Sequence, residues 1–234
     1  MKESGERGGA IGERPRLDIS NETTLKRGVH FAFTGIDGAG KSTQAGLLAK
    51  YVRDNFGPTY LFEPRTDLVS QLMVNLSWQY GRVGRREYFG HYAVDFAKAF
   101  DVIRDHFGTA VPLLAAGMHV VTPRSSYCRL ATSIGMSGKR DKRIEQVLGL
   151  IPKPDLLFWL DVDPDIAFHR ITTRGIDSEN LDFLKVFCSA LRSMPEAKGW
   201  VRIDGGRKIE EISHEIAEKV REFFKKCRPS TSKT

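Results

Sequence analysis

The stretch Gly35-Ile36-Asp37-Gly38-Ala39-Gly40-Lys41-Ser42 constrains this chain more than any other feature of its sequence. It has the spacing G-x-x-x-x-G-K-[ST]. It follows a short apolar run at 29–33 (VHFAF) and opens a segment at 43–55 in which Leu47, Leu48, Tyr51 and Val52 recur at helical spacing. A strand, a glycine-rich turn and a helix in that order form a phosphate-binding loop. The glycines let successive backbone N–H groups face an anion, and the helix start adds partial positive charge. In such a loop Lys41 reaches the β- and γ-phosphates and Ser42 offers a hydroxyl to Mg²⁺. The nucleotide contacts are therefore placed on Gly35, Ile36, Asp37, Gly38, Ala39, Gly40, Lys41, Ser42 and Thr43, with nucleotide phosphates and Mg²⁺ as the bound species.

The rest of the chain has the rhythm of an α/β protein. Four further apolar runs lie at 59–62, 119–122, 156–161 and 200–204, each with a Gly or Pro close by. They read as buried parallel strands. Helical patterns fill the intervals at 69–80, 92–115, 164–173, 181–192 and 209–226, and Asp163 ahead of Pro164 is a strong N-cap signal. Alternation of this kind predicts a three-layer α/β/α domain around a five-stranded parallel sheet.

Charge and composition narrow the class. The net charge is +7, but four basic residues and no acid lie in the last ten residues, and the first 27 residues carry six bases against five acids. The body holds only about two of those positive charges, too few for the basic stripe that nucleic-acid binding wants. No apolar stretch approaches the ~20 residues of a membrane span. The first 16 residues lack an apolar signal region, and Cys128, Cys188 and Cys227 stand far apart. A cytoplasmic protein follows, with no nucleic-acid or membrane partner. Residues 1–27 read as a disordered extension, 28–226 as the nucleotide-binding domain with a lid near 170–182, and 227–234 as a basic tail.

Over about 28–226 the chain resembles the thymidylate kinases, which are nucleoside-monophosphate kinases. The resemblance rests on FAFTGIDGAGKSTQ (31–44), Glu63-Pro64, Ala93-Val94-Asp95, HVVTPRSSYCRLA (119–131), KPDLLFWLDVDPDIAFHRITTRG (153–175) and VRIDGGRKIEEISHEI (201–216). It implies transfer of the γ-phosphoryl group of ATP to a nucleoside 5′-monophosphate, dTMP or a related pyrimidine nucleotide. It also implies a homodimer through the long helices. Lys41, Arg124, Arg170 and Arg174 then carry catalysis: Arg124 lies across donor and acceptor phosphates, and the two lid arginines close over ATP. Asp37 positions the acceptor near its 3′-hydroxyl. Asp161 joins Ser42 as a candidate for ordering Mg²⁺, and Asp163 caps the following helix.

The same resemblance marks departures on the acceptor side. Pro123 replaces the acid that precedes the arginine in the family. Phe62 replaces an arginine before Glu63, with Arg65 the candidate to cover for it. Tyr92 stands at the stacking aromatic. Phe96 stands where an arginine hydrogen-bonds the base, and Arg129 where a small hydroxyl residue is usual. Glu63, Arg65, Tyr92, Phe96 and Arg129, with Asp37, thus form the expected acceptor site, and its chemistry is altered. Two other readings stay open. A deoxynucleoside kinase would use Glu63 as general base toward a 5′-hydroxyl. A non-catalytic nucleotide-binding homologue would have lost activity with Pro123 and Phe96.

Overall fold

The computed structural model describes residues 27–64, 68–175 and 179–227. The expected extension, the end of the tail and Arg65 lie outside the described residues, as does part of the expected lid at 176–178. Five strands form one parallel sheet: β1 (His30–Thr34), β2 (Thr59–Leu61), β3 (His119–Thr122), β4 (Leu156–Asp161) and β5 (Val201–Asp204), in the order β2-β3-β1-β4-β5. Phe31 of β1 sits opposite Val121 on one side and Leu156 on the other, and Phe33 opposite Phe158.

Every residue of β1 is buried. A central parallel strand has helices on both faces, so its sequence is apolar without alternation. Phe33 and Phe158 stack at 5.4 Å, and both are fully buried. Each such ring removed from water contributes about 1.5–3 kcal/mol. The chain leaves β1 toward the β2 edge but leaves β3 toward β4. The two adjacent strands therefore part at their carboxyl ends, the place where open parallel sheets bind ligands.

Nine α-helices are described: α1 (Lys41–Asn55), α2 (Leu68–Leu76), α3 (Arg85–Asp105), α4 (Val111–Ala115), α5 (Ser126–Ser137), α6 (Lys142–Leu148), α7 (Pro164–Arg174), α8 (Leu181–Arg192) and α9 (Ile209–Cys227). Helix α9 buries Ile212, Ile216 and Val220 at helical spacing and stacks Phe224 on Phe56, just beyond α1, at 4.1 Å. On the other flank α3, α5, α8 and α7 pack in succession. The cap signal is realised: Asp163 Oδ1 accepts the Asp165 N–H at 2.8 Å, with Pro164 in the first turn. Asn180 caps α8 in the same way.

Two long helical segments are broken differently from the sequence expectation. The segment 69–80 is helical only to Leu76, and Ser77–Gly81 forms a π-helical turn. The segment 92–115 begins earlier, at Arg85, and is interrupted at Gly90 (φ 79°), a conformation open to a residue without a Cβ. It then passes through a π-helical turn at His106–Ala110 before α4. Pro112 has no N–H to return to the carbonyl one turn back, so the ladder shifts register there. The short helix α6 carries too few residues to announce itself by periodicity.

Candidate active site

The loop between β1 and α1 has the predicted shape. Gly40 has φ 89°, and Gly38 has φ 82°; a Cβ on Gly38 would lie 2.4 Å from the Ala167 carbonyl oxygen of α7. Glycine is thus required at Gly38 both by conformation and by the close approach of α7. Helix α1 starts at Lys41, two residues before the expected position, and its exposed N-terminal hydroxyls are Ser42 and Thr43.

Lys41 is buried and donates to the Ile36 carbonyl at 2.7 Å and to Asp37 Oδ1 at 3.3 Å. Arg124, from the turn after β3, donates to the same Asp37 oxygen at 2.6 Å. Strands β1 and β3 therefore deliver two cations to one carboxylate. Burial pushes the Asp37 carboxyl up, but Lys41 and Arg124 outweigh it and hold the group below its ordinary value. Burial, and then the Arg124 charge, lower the Lys41 ammonium, while Asp37 opposes them. Burial also works against the Arg124 guanidinium, and Asp37 more than restores it.

A cavity of about 790 Å³ opens beside this triad. One wall is the loop and the start of α1 from Asp37 to Gln44. The other comprises Arg170, Ile171 and Arg174 of α7, Glu179, and the residues entering α9, Arg207, Lys208, Ile209 and Ile212. Its size suits a nucleotide. Arg170 donates to the Gly205 carbonyl at 2.8 Å, which joins α7 to the turn after β5. Both expected lid arginines therefore line the cavity, with Arg170 fastened to its rim.

Sequence reasoning missed the part of the far wall that leads into α9. Gln44 is buried and donates to the Ile209 carbonyl at 3.0 Å, tying α1 to α9. The Gly205-Gly206 pair ahead of an amphipathic helix was the only signal for that wall. Cys128 was missed as well. It is buried in the first turn of α5, with its sulfur 3.3 Å from the Thr34 hydroxyl. Burial raises its thiol, but Lys41 and Arg124 carry it below the ordinary value.

Asp161 is placed differently from the Mg²⁺ expectation. Its Oδ1 accepts from Arg192 at 3.0 Å and its Oδ2 from Arg202 Nε at 2.9 Å. It is 7% exposed and is not among the residues lining the cavity. The carboxylate clamps α8 to β5, because β4 runs next to β5 and places Asp161 opposite Asp204. Ser42 does face the cavity. Among the described residues no cluster of His, Cys, Asp and Glu is placed to hold a metal ion. That fits an ion held chiefly by nucleotide phosphates and water, with one protein hydroxyl.

Asp37 apart, the described acceptor-side residues are not among those lining this cavity. Glu63 is exposed just beyond β2. Tyr92 is 39% exposed, with the Arg143 guanidinium 4.0 Å from its ring centre. Phe96 packs between Tyr92 (5.5 Å) and Phe100 (4.7 Å), against the core. Arg129, on α5, is half-buried. The structure thus joins Asp37, Lys41 and Arg124 directly, and sets the aromatic pair on α3 and Arg129 on α5, the helix packed beside it.

A parallel sheet with this strand order, carrying a glycine-rich loop between its central strand and first helix, defines a P-loop nucleotide-binding α/β protein. The comparisons are more particular. The family model for thymidylate kinase matches residues 33–216. The chain is 30% identical over 193 residues to a probable thymidylate kinase of Pyrobaculum aerophilum, covering 81% of this chain and 95% of that protein. It is 27% identical over 199 residues to the thymidylate kinase of Plasmodium falciparum (83% and 90% covered). It is 30% identical over 215 residues to a probable thymidylate kinase of Methanosarcina mazei (86% and 98%). The chain belongs to the thymidylate kinase family.

Proposed function

We propose that the protein transfers the γ-phosphoryl group of ATP to the 5′-phosphate of dTMP, giving dTDP and ADP. The observation that carries this reading is the convergence of Lys41 and Arg124 on one Asp37 oxygen, at the edge of the nucleotide-sized cavity. Two cations held at one point suit a reaction whose difficulty is charge on the transferred group. Lys41 is held by the Ile36 carbonyl at the loop, which suits a positioned charge donor. Arg124 has a planar fork that can hold oxygens of donor and acceptor together. Arg170 and Arg174 close the outer wall and exclude water. Ser42, which lines the cavity, is the residue we assign to hold Mg²⁺, an ion that would supply positive charge to the phosphates there. The acceptor phosphate is already ionised, so no general base is needed.

The site is tested by ADP release with ATP and Mg²⁺ against dTMP, dUMP, other nucleoside monophosphates and thymidine. Turnover on dTMP is expected, and Lys41→Ala should lower it by about 10²–10³-fold, the scale of losing one preorganised charge donor. Turnover on thymidine but on no monophosphate would replace this reading with a nucleoside kinase, which Glu63→Gln should abolish. Binding of ATP with no turnover across the panel would replace it with a non-catalytic homologue. We further assign the protein a cytoplasmic setting and a homodimeric state. Leu68 and Leu72 on α2, and Phe100 and Phe107 on and just after α3, are exposed at helical spacings, and a second copy would cover them. No described helix is long and apolar enough to cross a membrane.

A further inference from the structure

Helix α1 buries one stripe of side chains: Lys41, Gln44, Ala45, Leu48, Ala49 and Val52. Beyond Lys41, which serves the phosphate loop, Gln44 is the only polar member of that stripe. It lies one turn past Lys41, where the stripe meets α9, and α9 answers with the apolar side chains of Ile212, Ile216 and Val220. An apolar residue would suit such a position better than an amide. The Gln44 Nε2 donates to the Ile209 carbonyl at 3.0 Å, while its Oε1 is buried and pairs with no described residue. The Ile209 carbonyl stands in the first turn of α9, so helix geometry already gives it the N–H four residues on. Neither helix needs this bond for its own hydrogen bonding.

What the bond fixes is the turn after β5. That turn, 205–208, brings Arg207 and Lys208 into the cavity wall, followed by Ile209, which is 50% exposed. It is fastened at both ends. Arg170 of α7 donates to the Gly205 carbonyl at 2.8 Å, at the β5 end, and Gln44 holds the α9 end. Both donors stand on elements that build the phosphate loop. Gln44 is in the first turn of α1, and Arg170 is three residues past Ala167, whose carbonyl lies against Gly38. We propose that Gln44 is a positioning residue: it holds the wall from Arg207 to Ile209 at a fixed distance from the phosphate loop, ready for the sugar and base of a nucleoside triphosphate anchored by its phosphates. A wall set in advance lowers the ordering cost of binding. The phosphates, gathered at the loop, do not depend on it.

The inference rests on the nucleotide-binding part of the reading above, and the choice of ligands separates the two. Titration calorimetry with Mg²⁺ would measure ATP and inorganic tripolyphosphate on the full-length protein and on Gln44→Met and Gln44→Leu, two apolar side chains of similar size. Both variants should weaken ATP about 5- to 10-fold, the scale of one hydrogen bond, and leave tripolyphosphate within about 2-fold of wild type. Their melting temperatures should be no lower than that of the wild type, because the stripe loses a buried amide. In turnover the loss should fall on KM for ATP and spare KM for the acceptor. An equal loss on ATP and tripolyphosphate, with a lower melting temperature, would overturn the assignment and make Gln44 a packing residue. An unchanged ATP affinity would overturn it as well. Selective loss of ATP affinity in a protein that turns over no acceptor would leave Gln44 as the positioning residue while removing the kinase reading.

Discussion

His30 shows at the scale of one residue how burial sets chemistry. It opens β1, is 4% exposed, and its ring contacts the Thr122 hydroxyl at 3.1 Å. Its imidazole is lowered to about 3, by burial first, then by His106, whose ring centre is 6.2 Å away, and then by Arg27. The unfolded chain takes up this proton near 6.5, whereas the folded chain refuses it until about 3. The stability it confers is complete above pH 6.5 and is lost as pH falls toward 3, at about 1.4 kcal/mol per pH unit. Urea unfolding of His30→Gln between pH 7.5 and pH 5 should show a shallower decline than wild type, by about one proton. Equal slopes would mean that His30 is protonated in the fold. At this scale Lys41 and Ser42 were legible from spacing, because the loop motif fixes their neighbours. His30, Gln44 and Cys128 were not, because their partners come from strands and helices distant in sequence.

The elements set Asp161 between two arginines. A carboxylate ending an apolar strand beside a phosphate loop has the local pattern of a metal-ordering acid. Its partners in the structure are arginines of other elements: Arg192 ends α8, and Arg202 lies on β5. Both arginines are more than half exposed, so solvent screens the attraction, and the contribution is modest. Asp161→Asn should cost about 1–2 kcal/mol in chemical denaturation and leave the Mg²⁺ concentration for half-maximal activity unchanged. A several-fold rise in that concentration, with stability intact, would restore Asp161 to the metal site. The start of α7 was the most legible boundary. Asp163 and Pro164 fix the start of α7 by local hydrogen bonding alone, whereas the ends of α2 and α3 depend on Gly90, Pro112 and the packing around two π-helical turns.

At the scale of the molecule the unanswered surface is apolar. Leu72 is 55% exposed, Phe100 49% and Phe107 43%, on neighbouring segments that pack together. Removing such side chains from water is worth roughly 1.5–3 kcal/mol each. Sedimentation should give a dimer for the wild type, and Phe100→Asp should shift it toward monomer, raising the dissociation constant by at least about 10-fold. A wild-type monomer at micromolar concentration would end the dimer proposal. The charge distribution belongs to this scale too. The +7 net charge gathers partly in the last ten residues, so it says little about the folded surface. The cations of the candidate site, Lys41 and Arg124, line the cavity beside the loop.

The sequence alone determined the strand–loop–helix unit, the alternation of five apolar runs with amphipathic helices, and the family those motifs resemble. These are local properties: backbone conformation at glycine, capping, and the period at which apolar residues recur. The tertiary structure decided which charges meet. Parallel pairing of β1 with β3 brings Arg124 to Asp37, pairing of β4 with β5 turns Asp161 toward Arg202, and packing of α3 against α5 brings Ser133 to Asp95. Electrostatic partnership depends on distances of a few ångströms between residues far apart in the chain, and only the folded sheet and its helices set those distances.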